Sequence, residues 1–155
     1  MERVYIFDTT LRDGGQTKGV DFSFADKIAI SEALDDLGID YIEGGWPGAN
    51  PTDDKLFGSP PKLKVSNFVA FGMTRRPNTS AANDPGLNAV LSGKSDSVCL
   101  VGKTWDFHVS KALNITLEEN IDMISESINE INKRGKQALF DLSLIHISEP
   151  TRRIL

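Results

Sequence analysis

The sequence predicts an α/β fold built on a parallel sheet. Three observations carry this. Short apolar runs closed by turn residues alternate with longer stretches of helical period. The runs begin roughly every 25–40 residues, the length of a strand–helix–strand unit. In the clearest helical stretch Leu117, Ile121, Ile124, Ile128 and Ile131 recur at spacings of 4, 3, 4 and 3, the stripe of an amphipathic helix. Such alternation favours parallel strands joined by right-handed crossovers. Two architectures satisfy it: an open doubly wound sheet, or part of an eight-stranded barrel. A whole barrel takes about 250 residues, so five strands by residue 141 would make just over half of one.

Taken in order, residues 4–7 read as a buried first strand ending at Asp8. Residues 21–37 read as a helix. Ser23 and Asp26 stand in capping-box positions, where short oxygen side chains satisfy free N–H groups of the first turn. Phe24, Ile28, Leu34 and Leu37 share one face, and Gly38 suits a left-handed stop. Residues 39–43 form the second strand, closed by Gly44–Gly45, and Trp46–Pro47 reads as a rigid loop wall. Asn50 is placed to cap a short helix holding Asp53 and Leu56. Residues 67–71 and 97–101 give the third and fourth strands, with a short helix at 85–91. The polar stretch 72–86 reads as a mobile surface loop. Thr116 and Glu119 open the helix 116–134 in capping-box positions, Gly135 ends it, and 137–141 is the fifth strand.

Composition narrows the function. A chain of 155 residues, 39% hydrophobic, is sized for one globular domain. With 22 acidic against 17 basic residues it lacks the electrostatic footprint of a nucleic-acid binder. Its single cysteine, Cys99, makes neither an internal disulfide nor a multi-cysteine metal site, and within SVCLV it reads as core. His108 reads as a surface or packing residue. No run reaches the roughly 18 apolar residues of a membrane helix, and the N-terminus lacks a signal-peptide layout. The expectation is a cytoplasmic protein without nucleic-acid or membrane partners.

The strongest chemical signal is Asp8-Thr9-Thr10-Leu11-Arg12-Asp13-Gly14-Gly15-Gln16, directly after the first strand. One reading is a plain loop, with Asp13–Gly14 a turn dipeptide and Arg12 paired to Asp8. The other is a metal-and-enolate site. Asp13 would offer hard carboxylate oxygen to a divalent cation, while Arg12 neutralises charge on a chelated keto acid.

DTTLRDGGQ resembles the N-terminal signature of the metal-dependent acyltransferases and lyases of the aldolase-type barrel. This group includes 2-isopropylmalate, homocitrate and citramalate synthases and hydroxymethylglutaryl-CoA (HMG-CoA) lyase. A second segment, Tyr41-Ile42-Glu43-Gly44-Gly45-Trp46-Pro47-Gly48-Ala49-Asn50-Pro51-Thr52-Asp53, is most similar to the citramalate synthase branch. The resemblance covers residues 4–141. It implies the N-terminal part, about five βα units, of a TIM (β/α)8 barrel, and a Claisen condensation of acetyl-CoA with pyruvate to (R)-citramalate in isoleucine biosynthesis. A divalent cation (Mg²⁺, Mn²⁺ or Zn²⁺), acetyl-CoA as co-substrate and a homodimeric whole protein are implied with it. By resemblance Asp13 matches a metal ligand, and Arg12 the catalytic arginine that also binds the keto acid. Gln16 and Glu43 match substrate-binding positions. A 2-isopropylmalate or homocitrate synthase using another 2-oxo acid is the alternative within the group. Outside it, a non-catalytic truncated polypeptide or a half barrel completed by a partner is the competing expectation.

The chain also departs from the group's pattern. The related proteins' H-x-H metal ligands have no counterpart, since His108 and His146 are the only histidines. Residues 1–141 are expected to be the family portion. Residues 142–155 resemble translated adapter sequence from a misassembled gene fragment, so a truncated reading frame, inactive by itself, is expected.

Overall fold

A computed structural model describes residues 3–142. Five strands, β1 (Phe7–Asp8), β2 (Tyr41–Gly45), β3 (Asn67–Met73), β4 (Ser97–Val101) and β5 (Gln137–Asp141), form one sheet in the order β1-β2-β3-β4-β5. Every neighbouring pair is parallel. Strictly sequential order decides between the two expected architectures, because a doubly wound sheet reverses its order at a switch point. The sheet also curls. Gln137 Nε2 on β5 donates to the Tyr41 hydroxyl on β2 at 3.1 Å, while Ser97 Oγ donates to Gln137 Oε1 at 3.0 Å. Three strand spacings in a flat sheet amount to about 14 Å, so only a closing wall brings those side chains together. The fold is a half barrel, as the family resemblance implied.

The helices α1 (Phe24–Asp36), α2 (Pro51–Gly58), α3 (Pro85–Ser92), α4 (Asp106–His108) and α5 (Leu117–Lys133) accompany the strands. Alternate strand residues divide between two faces. Phe68, Ala70, Val98 and Leu100 point outward and pack with Leu56, Phe57, Leu87, Val90 and Ile131 into the main core. Each large side chain fully buried there stabilises by about 1.5–3 kcal/mol. The opposite face, with Glu43, Cys99 and Leu139, lines the barrel interior.

Caps form where the sequence placed them. Ser23 and Asp26 complete a capping box on α1, and Asn50 accepts from the Asp53 N–H at the start of α2. Gly38 and Gly135 adopt φ values of +83° and +74°, the left-handed stops expected.

Five expectations need correction. The first strand is Phe7–Asp8, not a buried run at 4–7. Val4, Tyr5 and Ile6 are exposed, because among the described residues β1 pairs only with β2. On α1 the buried stripe is Lys27, Ser31 and Asp35, with Phe24, Ile28 and Leu34 flanking it and Leu37 exposed. Asp35 explains part of this, since its carboxylate accepts N–H bonds from Lys64, Val65 and Ser66 and so ties down the approach to β3. On α5, Ile131 is buried but Leu117 and Ile121 are exposed; Met123, Asn120 and Ser127 fill the contact instead. Thr116 caps α5, whereas the Glu119 side chain turns to Arg75.

Finally, 72–86 is not a free surface loop. Strand β3 runs on to Met73, and Arg75 and Asp84 are both buried. Arg75 donates its backbone N–H to Ser127 Oγ and pairs with Glu119 and Glu126, while Asp84 accepts from Arg76 and caps α3. Polar composition misled here because the polar groups satisfy one another internally. The expectation for 143–155 lies outside the described residues.

Candidate active site

The loop after β1 is built by its own short polar residues. Asp8 accepts from the backbone N–H and the hydroxyl of Thr10, and the Thr9 carbonyl accepts N–H groups from Arg12, Asp13 and Gly14. Leu11 anchors this tight turn, fully buried against Ile39 and Ile42. With Asp8 engaged locally and Leu11 pointing into the core, Arg12 is directed across the C-terminal end of the sheet. It does not pair with Asp8.

Arg12 Nε donates to Glu43 Oε2 at 2.7 Å, and its Nη1 lies 3.3 Å from Asp13 Oδ1. Its guanidinium carbon sits 4.1 Å from the centroid of the Phe71 ring, a cation–π contact that Trp46 supports edge-on from 5.4 Å. Three neighbouring segments, the β1 loop, β2 and β3, thus fix one cation. Arginine suits this role because its planar fork can hold Glu43 through Nε and keep further N–H donors for a ligand.

Electrostatics follow from burial. Glu43 is 1% exposed. Burial raises its carboxyl above the ordinary range, Arg12 pulls it back, and the charges of Asp141 and Asp13 push it up. Burial likewise pushes the Cys99 thiol up to about 12, with Glu43 and Asp141 adding to the effect. Cys99 is thus a neutral packing residue, as expected, although it also lines the interior.

Arg12 stands between two cavities. The inner one, about 330 Å³, is lined by Phe7, Thr9, Arg12, Glu43, Cys99 and Asp141. The outer one, about 220 Å³, is lined by Arg12, Gln16, Lys27, Trp46, Asn50 and Asp53. Among the expected site residues, Arg12, Asp13 and Glu43 are brought together, while Gln16 lies on the outer side. His108 packs against Trp105 on the loop after β4.

Residues 3–152 match the HMGL-like family. The chain belongs to that family. It is 49% identical over 142 residues to the (R)-citramalate synthase of Aquifex aeolicus, an alignment covering 90% of this chain and 27% of that protein. It is 30% identical over 148 residues to the 2-isopropylmalate synthase of Solidesulfovibrio magneticus, covering 96% and 28%. The chain therefore spans about a quarter of the length of the curated relatives it matches. The HMG-CoA lyase of Bacillus subtilis shares its fold with a TM-score of 0.67 at 21% identity, covering 90% of this chain and 46% of the lyase. The half barrel is thus the HMGL-like fold.

Family resemblance implied a divalent cation on Asp13. Asp13 offers one carboxylate, 65% exposed and already leaning on Arg12. No three of His, Cys, Asp and Glu cluster as potential ligands among the described residues. A divalent cation takes several such donors. The described residues therefore do not fit a complete metal site, and no chemical step is derived through one. No helix among the described residues is long and apolar enough to cross a membrane.

Two contributors escaped the sequence reading. Phe71 was assigned to a strand without a face; its parity with Val69 places it inward. Lys27 and Asp53 form a buried ion pair beneath the site. The signal for Lys27 was the polar i, i+4, i+8 stripe of Lys27, Ser31 and Asp35 on a helix that must bury one face.

Proposed function

We propose that this chain provides the 2-oxo-acid end of an active site that condenses acetyl-CoA with pyruvate to (R)-citramalate and free CoA, a reaction of isoleucine biosynthesis. One observation carries the reading: Arg12 is held at the mouth of the half barrel, its Nε fixed on buried Glu43 and its guanidinium over the ring of Phe71. The identity of 49% to a citramalate synthase, against 30% to a 2-isopropylmalate synthase, supports pyruvate over a larger 2-oxo acid.

The chemistry matches the geometry. A bond forms between the methyl carbon of the thioester, after loss of a proton, and the carbonyl carbon of the 2-oxo acid. The carbonyl electron pair moves onto oxygen, which takes up a proton to become the hydroxyl of the product. Water then cleaves the thioester to release CoA and a carboxylate. Arg12 binds the 2-oxo acid and faces the oxygen where charge develops. Because Glu43 already orients the guanidinium, no reorganisation is needed when charge appears, and losing such a donor typically costs about 3–4 kcal/mol of barrier. Glu43 acts on the substrate through Arg12, and Gln16 adds a neutral hydrogen-bonding side chain at the outer cavity.

Grafting residues 3–141 of this chain into the matching segment of the Aquifex aeolicus protein tests the reading. Acetyl-CoA-dependent thiol release with pyruvate, exceeding that with branched 2-oxo acids, is expected. Preference for a branched acid would move the assignment to the 2-isopropylmalate branch, and no release with any 2-oxo acid would end it.

A further inference from the structure

Beneath the site lies an ion pair that the chemistry above does not use. Lys27 of α1 and Asp53 of α2 meet at 2.5 Å, both more than nine-tenths buried. Lys27 Nζ also donates to the Gly44 carbonyl at 2.9 Å. The other Asp53 oxygen accepts the Trp46 backbone N–H and Asn50 Nδ2, each at 2.9 Å. The pair therefore grips the C-terminal end of β2, from Gly44 to Trp46, on both sides. Burying two charges is costly, and an apolar pair of similar volume would serve packing at least as well. What the charges add is direction.

The space around this segment is equally restrictive. A Cβ on Gly45, at φ +154°, would lie within 2.6 Å of the Asp53 carboxylate, and one on Gly44 within 2.3 Å of the Phe68 ring. Both ends of the gripped segment lead to the same cation. Gly44 follows Glu43, which holds Arg12 Nε, and Trp46 stands edge-on to Phe71, whose face carries the Arg12 guanidinium.

We propose that Lys27 and Asp53 are positioning residues: the pair fixes residues 44–46 at the end of β2 so that Glu43 and Phe71 hold Arg12 in one orientation. This rests on the reading of Arg12 as the substrate-facing cation, but its test does not need turnover.

The test follows the Arg12 Nε–H proton by NMR in the full chain. In the parent chain its exchange with water is expected to be slow, because it is bonded to a buried carboxylate; fast exchange there would overturn the proposal. Lys27→Met with Asp53→Asn removes both charges together and so leaves no unpaired buried charge. Arg12 Nε–H exchange is expected to accelerate by about tenfold or more, while Arg75, paired with Glu119 and Glu126, keeps its rate. Lys27→Arg retains charge and donors, has the outer cavity to expand into, and is expected to restore protection. Lys27→Gln with Asp53→Asn, which also removes both charges but keeps hydrogen-bonding side chains for the Gly44 carbonyl and the Trp46 N–H, carries the same test if the first double variant does not fold. Unchanged Arg12 protection overturns the proposal, as does loss of Arg12 and Arg75 protection in step, which would make the pair a support of the whole fold. Failure of thiol release in the grafted protein, by contrast, strikes the functional reading and leaves this result standing.

Discussion

Replacing Arg12 with alanine strands a carboxylate. Glu43 is 1% exposed and its partner lies 2.7 Å away. Removing one member of a buried pair typically costs about 3–5 kcal/mol. Arg12 retains 16% side-chain exposure and Glu43 can take up a proton, so the low end, about 3 kcal/mol at pH 7, is expected. With a urea slope of about 2 kcal/mol/M the midpoint falls by about 1.5 M. Arg12→Ala with Glu43→Gln leaves no buried charge and should lose only about 1–2 kcal/mol. The pH dependence has a definite sign. Burial already raises the Glu43 carboxyl, and losing Arg12 removes the largest influence pulling it down. The native state then keeps a proton that the unfolded chain releases above about pH 4.5. Stability from that proton is present below the ordinary range and is lost as pH rises, so the deficit of the single variant grows from pH 5 to pH 7. Urea melts of dilute protein, followed by tryptophan emission at both pH values, measure this. Equal losses for single and double variants, or a deficit independent of pH, would refute the buried Arg12–Glu43 coupling.

Gly45→Ala forces a Cβ against Asp53 at a φ of +154° and should lower stability by more than about 2 kcal/mol in the same melts. Arg75→Met leaves Glu119 and Glu126 without their shared cation and unties 72–86 from α5; a loss of about 2–3 kcal/mol and faster proteolysis near Arg76 are expected. Asp35, held below the ordinary carboxylate range by the N–H groups of Lys64, Val65 and Ser66, contributes stability above about pH 3.8 that is lost as pH falls. Asp35→Asn should therefore flatten the acid limb of the stability curve. Exposed Tyr5, Ile6 and Phe7 beside the open side of β1 should drive self-association, visible as concentration-dependent sedimentation.

Much of the fold was legible because it is local. Caps at Ser23, Asn50 and Thr116 and stops at Gly38 and Gly135 depend on nearest neighbours, and each formed. Strand β1 was misread because burial is a property of what pairs alongside, and among the described residues only β2 pairs with β1. The stretch 72–86 was misread for the opposite reason. Its charged residues look solvated until Glu119 and Glu126, more than 40 positions on, neutralise Arg75. At the site, the DTTLRDGGQ and EGGWPGANPTD motifs brought out Arg12, Asp13 and Glu43, yet the contact between Arg12 and Glu43 across 31 residues was not derivable from either motif alone. Lys27 and Asp53 stayed hidden because periodicity weighs apolar residues, and a buried stripe of Lys, Ser and Asp registers as solvent-facing.

The central claim is that Arg12 is an oriented guanidinium rather than a diffuse positive charge. Arg12→Lys in the grafted Aquifex aeolicus protein separates the two, because lysine keeps the charge but cannot hold Glu43 and a 2-oxo acid in one plane. Thiol release from acetyl-CoA and pyruvate should fall by about 100-fold or more in kcat/KM. Release within a few-fold of the parent would contradict the claim.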